Sequence, residues 1–135
     1  MERSAGLSSV LDASAVIALF EEEPGADRVE SEIEHGSLAS WVNLGEVLYV
    51  EARRIGLEEA RAGVLRLVER IVAEEPDAEL VQAAATVKFE NRLSYADAYA
   101  VATAERHRLP LLTGDPEILE AGRPGLEVID LGKDA

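Results

Sequence analysis

Short apolar runs alternate along the chain with longer segments whose apolar residues recur every three or four positions. Gly, Pro, Asp or Asn punctuates most of the joins. Residues 7–11 (LSSVL) read as a buried strand, followed by Asp12 and an apolar helix over 14–22. Pro24-Gly25 interrupts that helix, and a more polar one runs on to His35, ahead of Gly36. Residues 38–42 (LASWV) predict a second strand, with Trp41 near its end. The next helix, 43–54, closes on Gly56, the residue type that most easily ends a helix. Leu57, Ala60, Val64, Leu67 and Val68 hold helical period over 57–70. Residues 71–75 read as a short strand, because Pro76-Asp77 restarts a helix that reaches about Phe89. An alanine-rich helix spans 94–108, then a strand 110–113, a short helix 116–121 and a last strand 126–131.

Strands alternating with helices predict an α/β fold with a mostly parallel sheet. The chain has 135 residues, about the length of one domain, with no internal repeat or linker, so a single domain over 1–135 is expected. In open parallel sheets, ligands gather beyond the carboxyl ends of the strands, where the strand order reverses. Asp12 directly follows the first predicted strand, and Asp115 follows Leu111-Leu112-Thr113 after one glycine. Glu46 lies in the first turn of the helix after strand two, and Asp97 in the first turn of the alanine-rich helix. A parallel sheet would bring these four acids to one rim.

Each acid also has a capping reading. Asn43-x-x-Glu46 and Ser94-x-x-Asp97 are capping-box patterns, and Asp115-Pro116 reads as an N-cap followed by proline at the first helical position. Asp12 or Ser14 is placed to cap the helix that follows strand one. Capping and chemistry are compatible, and caps alone do not require convergence on one rim. Without a cation such a cluster is unfavourable, because like charges raise one another's pKa values. Oxygen donors without nitrogen or sulfur select a hard ion, Mg²⁺ or Mn²⁺. Metal-assisted hydrolysis of a phosphate ester is the reaction class this donor set suits.

Composition narrows the alternatives. The chain has no cysteine and two histidines, which excludes disulfides, thiolate metal sites and cysteine nucleophiles. No apolar run approaches the length of a membrane span, and Met1-Glu2-Arg3-Ser4 does not resemble an export signal, so a cytoplasmic protein is expected. Thirteen basic against 27 acidic residues leave a net charge of −14, which repels polyanions at long range. Of the acids, 20 are glutamate and only seven aspartate, so each aspartate position is informative. Eleven of the cations are arginine, suited to phosphate geometry; Arg53, Arg54 and Arg92 are the candidates for holding a polyanion against the overall field. With one tryptophan, three tyrosines and two phenylalanines, a base-stacking surface is not expected. His35 and His107 read as favourable charges at helix C-termini. The alternating alanines from Ala96 to Ala104 suit close helix approach, in the core or at a subunit interface.

Four segments then carry a resemblance: Val10-Leu11-Asp12-Ala13-Ser14-Ala15, Asn43-Leu44-Gly45-Glu46-Val47, Leu93-Ser94-Tyr95-Ala96-Asp97-Ala98 and Leu111-Leu112-Thr113-Gly114-Asp115. Together and in this order they resemble the PIN-domain ribonucleases, specifically the VapC toxins of bacterial and archaeal toxin–antitoxin modules. The resemblance spans residues 10–131 and implies a Rossmann-like three-layer α/β/α sandwich and Mg²⁺-dependent (or Mn²⁺-dependent) cleavage of RNA. It implies that Asp12, Glu46, Asp97 and Asp115 form the metal-binding centre, with the Ser14 and Thr113 hydroxyls beside it. It also implies a cognate antitoxin whose arginine-bearing tail covers the acids, and a homodimer. The competing readings are a PIN nuclease outside any toxin pair, a non-catalytic PIN module, and a phosphoacceptor receiver domain. The last would need an acidic pair near strand one and a lysine after a late strand, where this chain offers Asp12 alone and Lys133.

Overall fold

The computed structural model describes residues 6–134; Met1–Ser4 lie outside the described residues. Five strands form the sheet: β1 (Ser9–Leu11), β2 (Ser37–Ser40), β3 (Val72–Glu74), β4 (Leu111–Thr113) and β5 (Val128–Asp130). Their spatial order is β3-β2-β1-β4-β5, and every neighbouring pair is parallel. The helices α1 (Ala13–Phe20), α2 (Ala26–His35), α3 (Trp41–Ile55), α4 (Leu57–Val68), α5 (Ala78–Glu90), α6 (Tyr95–His107) and α7 (Pro116–Ala121) fill the connections. A 3₁₀ turn, Leu131–Asp134, follows β5.

The strand residues sort by parity, as a pleated backbone requires. Val10, Leu38 and Leu111 face one core, shared with Leu80, Ala84 and Val87 of α5 and the alanines of α6. Leu11, Ala39 and Leu112 face the other, shared with α1, α2, α3 and α4. The result is the three-layer α/β/α sandwich expected, with both faces of a short sheet buried. Ser9 and Ser37 lie opposite each other in the β1–β2 register, and their buried hydroxyls satisfy one another at 2.9 Å. Ala98, Ala100, Ala102 and Ala104 are all buried, so the alanine row serves this chain's own core. Small side chains there let α6 approach both the sheet and α5.

Most element boundaries agree with the pattern, and the differences have local causes. The strand expected over 38–42 stops at Ser40, whose Oγ accepts from the Val42 amide at 3.2 Å and caps α3. Trp41 and Val42 therefore begin a helix, and Trp41 packs, partly buried, against the second core. Asn43 is not the cap that its sequence pattern suggested. Asp77, Ser94 and Asp115 do cap α5, α6 and α7, each accepting a backbone amide two or three residues on. His107 does more than complement a helix end: its Nε2 lies 2.6 Å from Glu74 Oε2, tying α6 to the end of edge strand β3. Among the described residues no helix is long and apolar enough to cross a membrane.

Two helix-ending glycines differ in what their missing side chain allows. Gly36 (φ +116°) sits where a Cβ would lie 2.2 Å from the Gly6 carbonyl oxygen, whereas Gly56 (φ +94°) faces open space. Gly36→Ala is therefore expected to cost about 3 kcal/mol, from backbone strain plus the collision, and Gly56→Ala about 1 kcal/mol, from strain alone. Urea unfolding of both variants checks this; equal losses would show that the close approach at Gly36 does not limit stability.

Candidate active site

β1, β2 and β3 step outward in one direction, and the long connection through α5 and α6 then returns the chain to the opposite side of β1. The strand order thus reverses between β1 and β4, and Asp12 and Asp115 leave the carboxyl ends of those two strands. The fold rule for parallel sheets puts the ligand crevice at this point.

Asp12 is only 2% exposed and caps α1, accepting from the Ala15 amide at 2.8 Å. Ser14 Oγ donates to the same oxygen, Oδ1, at 2.7 Å, and Thr113 Oγ1 donates to Oδ2. Both hydroxyls also accept from the turn after β4: Gly114 N to Ser14 Oγ and Asp115 N to Thr113 Oγ1, each at 2.9 Å. Ser14 is therefore not the helix cap, and Thr113 is more than a strand residue. The two side chains clasp Asp12 and fix the turn that carries Asp115. Burial pushes Asp12 up to about 6; the hydrogen bonds from Thr113, Ser14 and Ala15 hold it down, and the Asp115 charge adds to the rise.

Asp97 projects from the first turn of α6, half-buried beside Asp115. Its pKa is pushed up to about 7 by burial, by a hydrogen bond shared with Asp115, and by the charges of Asp115 and Asp12. Glu46 lies farther along α3 than predicted, since the helix begins at Trp41. Burial raises its pKa, with a further push from Asp115. Asn43 places it: Nδ2 donates to the Ala96 carbonyl at 2.9 Å and locks α3 to the first turn of α6. Glu46 Oε1 is buried without a hydrogen-bond partner. All four predicted acids interact electrostatically with at least one other, and the common partner is Asp115. Among the described residues no lysine, arginine or histidine forms an ion pair with any of them.

One acid was not anticipated. Asp97, Asp115 and Glu117 each offer a carboxylate oxygen, and these oxygens lie within 4.8 Å of one another. The signal was local: an N-cap aspartate two residues before a glutamate, across Pro116, sets both carboxylates at one end of α7. The predicted cations behave differently from one another. Arg54 is held by Glu51, 2.6 Å from Nη2, and by Glu21. It also lies eight residues beyond Glu46, about 12 Å along the helix. Arg53 stacks over the Tyr49 ring. Arg92 is exposed and lines a cleft of about 460 Å³ together with Glu117 and Glu120.

The donor set suits a hard divalent cation: carboxylate oxygens only, an orphaned buried Glu46 oxygen and, among the described residues, no ion-paired cation. The electrostatic cost of gathering these acids is measurable. Asp97 binds its proton more tightly folded than unfolded, so its contribution is fully present below about pH 4 and is lost as pH rises towards 7. Asn does not titrate. In EDTA, Asp97→Asn is expected to be more stable than wild type at pH 8 by about 1–2 kcal/mol, a figure discounted because the group is half exposed. The gain should shrink towards zero near pH 4. Urea unfolding at pH 4.5 and 8 checks it; a pH-independent difference would remove like-charge repulsion as the cause.

The model of the PIN domain family matches residues 9–124. No curated protein is significantly similar in sequence. Among solved structures, VapC20 of Mycobacterium tuberculosis, a sarcin–ricin loop cleaving toxin, superposes with a TM-score of 0.73 at 23% identity, covering 89% of this chain and 99% of its own. The DNA-bound VapBC of Salmonella typhimurium gives 0.71 at 18% identity, covering 93% and 98%. A toxin–antitoxin complex from Klebsiella pneumoniae gives 0.70 at 21%, covering 92% and 98%. A receiver domain is not supported: Lys133, the lysine that reading needed, lies in the 3₁₀ turn after the edge strand. With a match that runs from β1 past the end of α7 and takes in all four acids, the chain belongs to the PIN domain family.

Proposed function

We propose that this protein is a metal-dependent ribonuclease, the toxin of a toxin–antitoxin pair acting in the cytoplasm. The observation that carries the reading is the convergence of uncompensated carboxylates at the β1/β4 switch point, in a family fold shared with VapC toxins. Asp12, Glu46, Asp97 and Asp115 would hold Mg²⁺ or Mn²⁺ through oxygen alone. Bound there, the cation supplies a Lewis acid for a phosphoryl oxygen and a water of lowered pKa. Ser14 and Thr113 orient Asp12 by occupying the sides of its carboxylate that face the protein, which leaves the remaining lone pairs for the crevice. Asn43 does the equivalent for Glu46 by fixing α3 against α6. Arg92, exposed at the rim of the neighbouring cleft, is the cation we assign to the RNA backbone.

The partner surface lies elsewhere. The apolar stripes of α1 and α4 are mostly spent on the core, but a groove of about 450 Å³ remains between them. Leu19 and Phe20 of α1, Ile55 of α3, and Ala60, Gly63 and Leu67 of α4 form its apolar part, and three glutamates (Glu30, Glu51, Glu59) and three arginines (Arg54, Arg66, Arg70) line the rest. An amphipathic antitoxin helix would lie in this groove, its arginines drawn to the acidic surface. The exposed row Val81, Ala85 and Phe89 on α5, with Phe89 92% exposed, is one apolar surface that a homodimer would use.

Two outcomes are expected. Asp12→Asn or Asp115→Asn should lower Mg²⁺-dependent cleavage of RNA about 100-fold or more with an unchanged circular dichroism spectrum; wild-type cleavage that persists in EDTA would sink the metal-dependent reading. Gly63→Gln, which fills the groove, should weaken binding of the protein encoded beside this gene about tenfold, or 1.4 kcal/mol. Its own RNA cleavage should be unaffected. Calorimetry on the purified pair measures this, and unchanged affinity would move the partner off the groove.

A further inference from the structure

Arg53, one of the three arginines suited to a polyanion, has no part in the four-acid centre. It stands on α3 seven residues beyond Glu46, with Tyr49 between them. Spacings of three and seven residues set all three on one face of the helix, Tyr49 about 4.5 Å and Arg53 about 10.5 Å along the axis from Glu46. The Arg53 guanidinium lies 5.8 Å from the centroid of the Tyr49 ring, and its Nη1 donates to the Tyr49 hydroxyl at 3.2 Å. The ring nevertheless remains 62% exposed. Among the described residues no carboxylate pairs with Arg53, so an aromatic ring holds its charge in place and leaves it uncompensated. Gly45 completes the face. It is exposed inside α3, and a Cβ there would meet nothing within 4 Å. Glycine in a helix interior costs stability relative to alanine, and no packing at this position requires it. A helical side chain leans over the turn before it, so Tyr49 borders bare backbone at Gly45, beside Glu46.

We propose that this face of α3 is a track for single-stranded RNA entering the centre: the Tyr49 ring stacks a base of a nucleotide near the scissile bond, and Arg53 binds the backbone phosphate beyond it. The proposal rests on the nuclease reading above. Every base has a face that an aromatic ring can stack, and an arginine beside the ring supplies the charge that the backbone needs. Ring and cation are already joined, so little side-chain freedom is lost when the strand binds. The track begins at Glu46, so a strand leaving the acids passes over it. Arg92 sits in a cleft to which α3 contributes no residue, and the two arginines therefore hold the strand from separate elements. Six aromatics are too few for a broad stacking surface, but one ring beside the acids is enough to fix the register of a strand.

The test is fluorescence anisotropy of a labelled, mixed-sequence single-stranded RNA of about 12 nucleotides, bound to the whole chain carrying Asp115→Asn so that the strand is not cut. In that background Tyr49→Ala should weaken binding about tenfold with its salt dependence unchanged. Tyr49→Phe, which keeps the ring, should bind as the parent does. Arg53→Ala should weaken binding and flatten the slope of log affinity against log salt by about 0.7, the value for one single-strand phosphate contact. Arg61→Ala, which removes an exposed arginine from α4, should change neither. Gly45→Gln should melt higher, because glutamine is the better helix former, and still bind RNA more weakly. In the chain that retains Asp115, Tyr49→Ala should raise KM about tenfold and leave kcat nearly unchanged. Equal weakening by Arg53→Ala and Arg61→Ala would reduce the effect to general charge and overturn the proposal. Unchanged RNA binding by Tyr49→Ala would also overturn it, and a loss of self-association in sedimentation would then give the face to a second copy of the chain. If wild type cleaves RNA and these variants match it, the track alone falls; if wild type neither binds nor cleaves RNA, the nuclease reading falls with it.

Discussion

The carboxylate of Asp12 is buried where the strand order reverses, and it must be satisfied there or the fold cannot close around it. An ionised group at that depth costs several kcal/mol unless hydrogen bonds replace its water. Two elements supply them: α1 through the Ala15 amide and the Ser14 hydroxyl, and β4 through Thr113. Because the same hydroxyls accept from Gly114 and Asp115, the clasp that satisfies one acid also fixes the turn carrying the next. The rest of the centre is assembled against this fixed point, with Asp97 delivered by α6 and Glu46 by α3.

The centre concentrates negative charge in a chain that is already strongly acidic, and the fold deals with this unevenly. Elsewhere several acids are paired: Glu51 with Arg54, Glu30 with Arg70, Asp77 with Arg106, and Glu90 and Glu105 with Arg123. At the switch point none is, among the described residues. Arginines that balance glutamates are not free to neutralise a polyanion, so a nucleic-acid substrate would be held against the overall field by few cations. The same acidity favours a basic partner at long range. On the proposed reading, a chain so charged would attract an arginine-bearing protein segment at long range and would need a bound cation to hold RNA.

Helix capping and the proposed chemistry fit one arrangement and do not compete. Asp12 and Asp115 cap α1 and α7 through one carboxylate oxygen each, which leaves the other lone pairs for other partners. Parallel strands followed directly by helices make this economical. The helix N-terminus that needs an acceptor lies at the carboxyl end of the strand, on the rim where ligands bind. Capping holds each acid in one orientation, as a preorganised site requires.

The alternation of apolar strands with amphipathic helices, the strand-end positions of Asp12 and Asp115, and the first-turn position of Asp97 were legible in the chain itself. Each depends on interactions between residues a few positions apart: periodicity, proline and glycine punctuation, and caps. What the chain alone did not disclose depends on contacts between distant segments. The α3 boundary moved because Ser40, the last residue of β2, also caps the helix, so that Trp41 and Val42 are helical; Asn43, the apparent cap, was free to bind Ala96 across the molecule. His107 found Glu74 rather than its own helix end, and Arg54 was taken by Glu21 and Glu51. The clasp of Ser14 and Thr113 on one carboxylate exists only once β1 and β4 are neighbours, and the approach of Glu117 to Asp97 only once α6 packs beside β4. Local patterning determined which acids stand at strand and helix ends. The return of the chain through α5 and α6 decided which of them meet, because that crossover sets β4 beside β1.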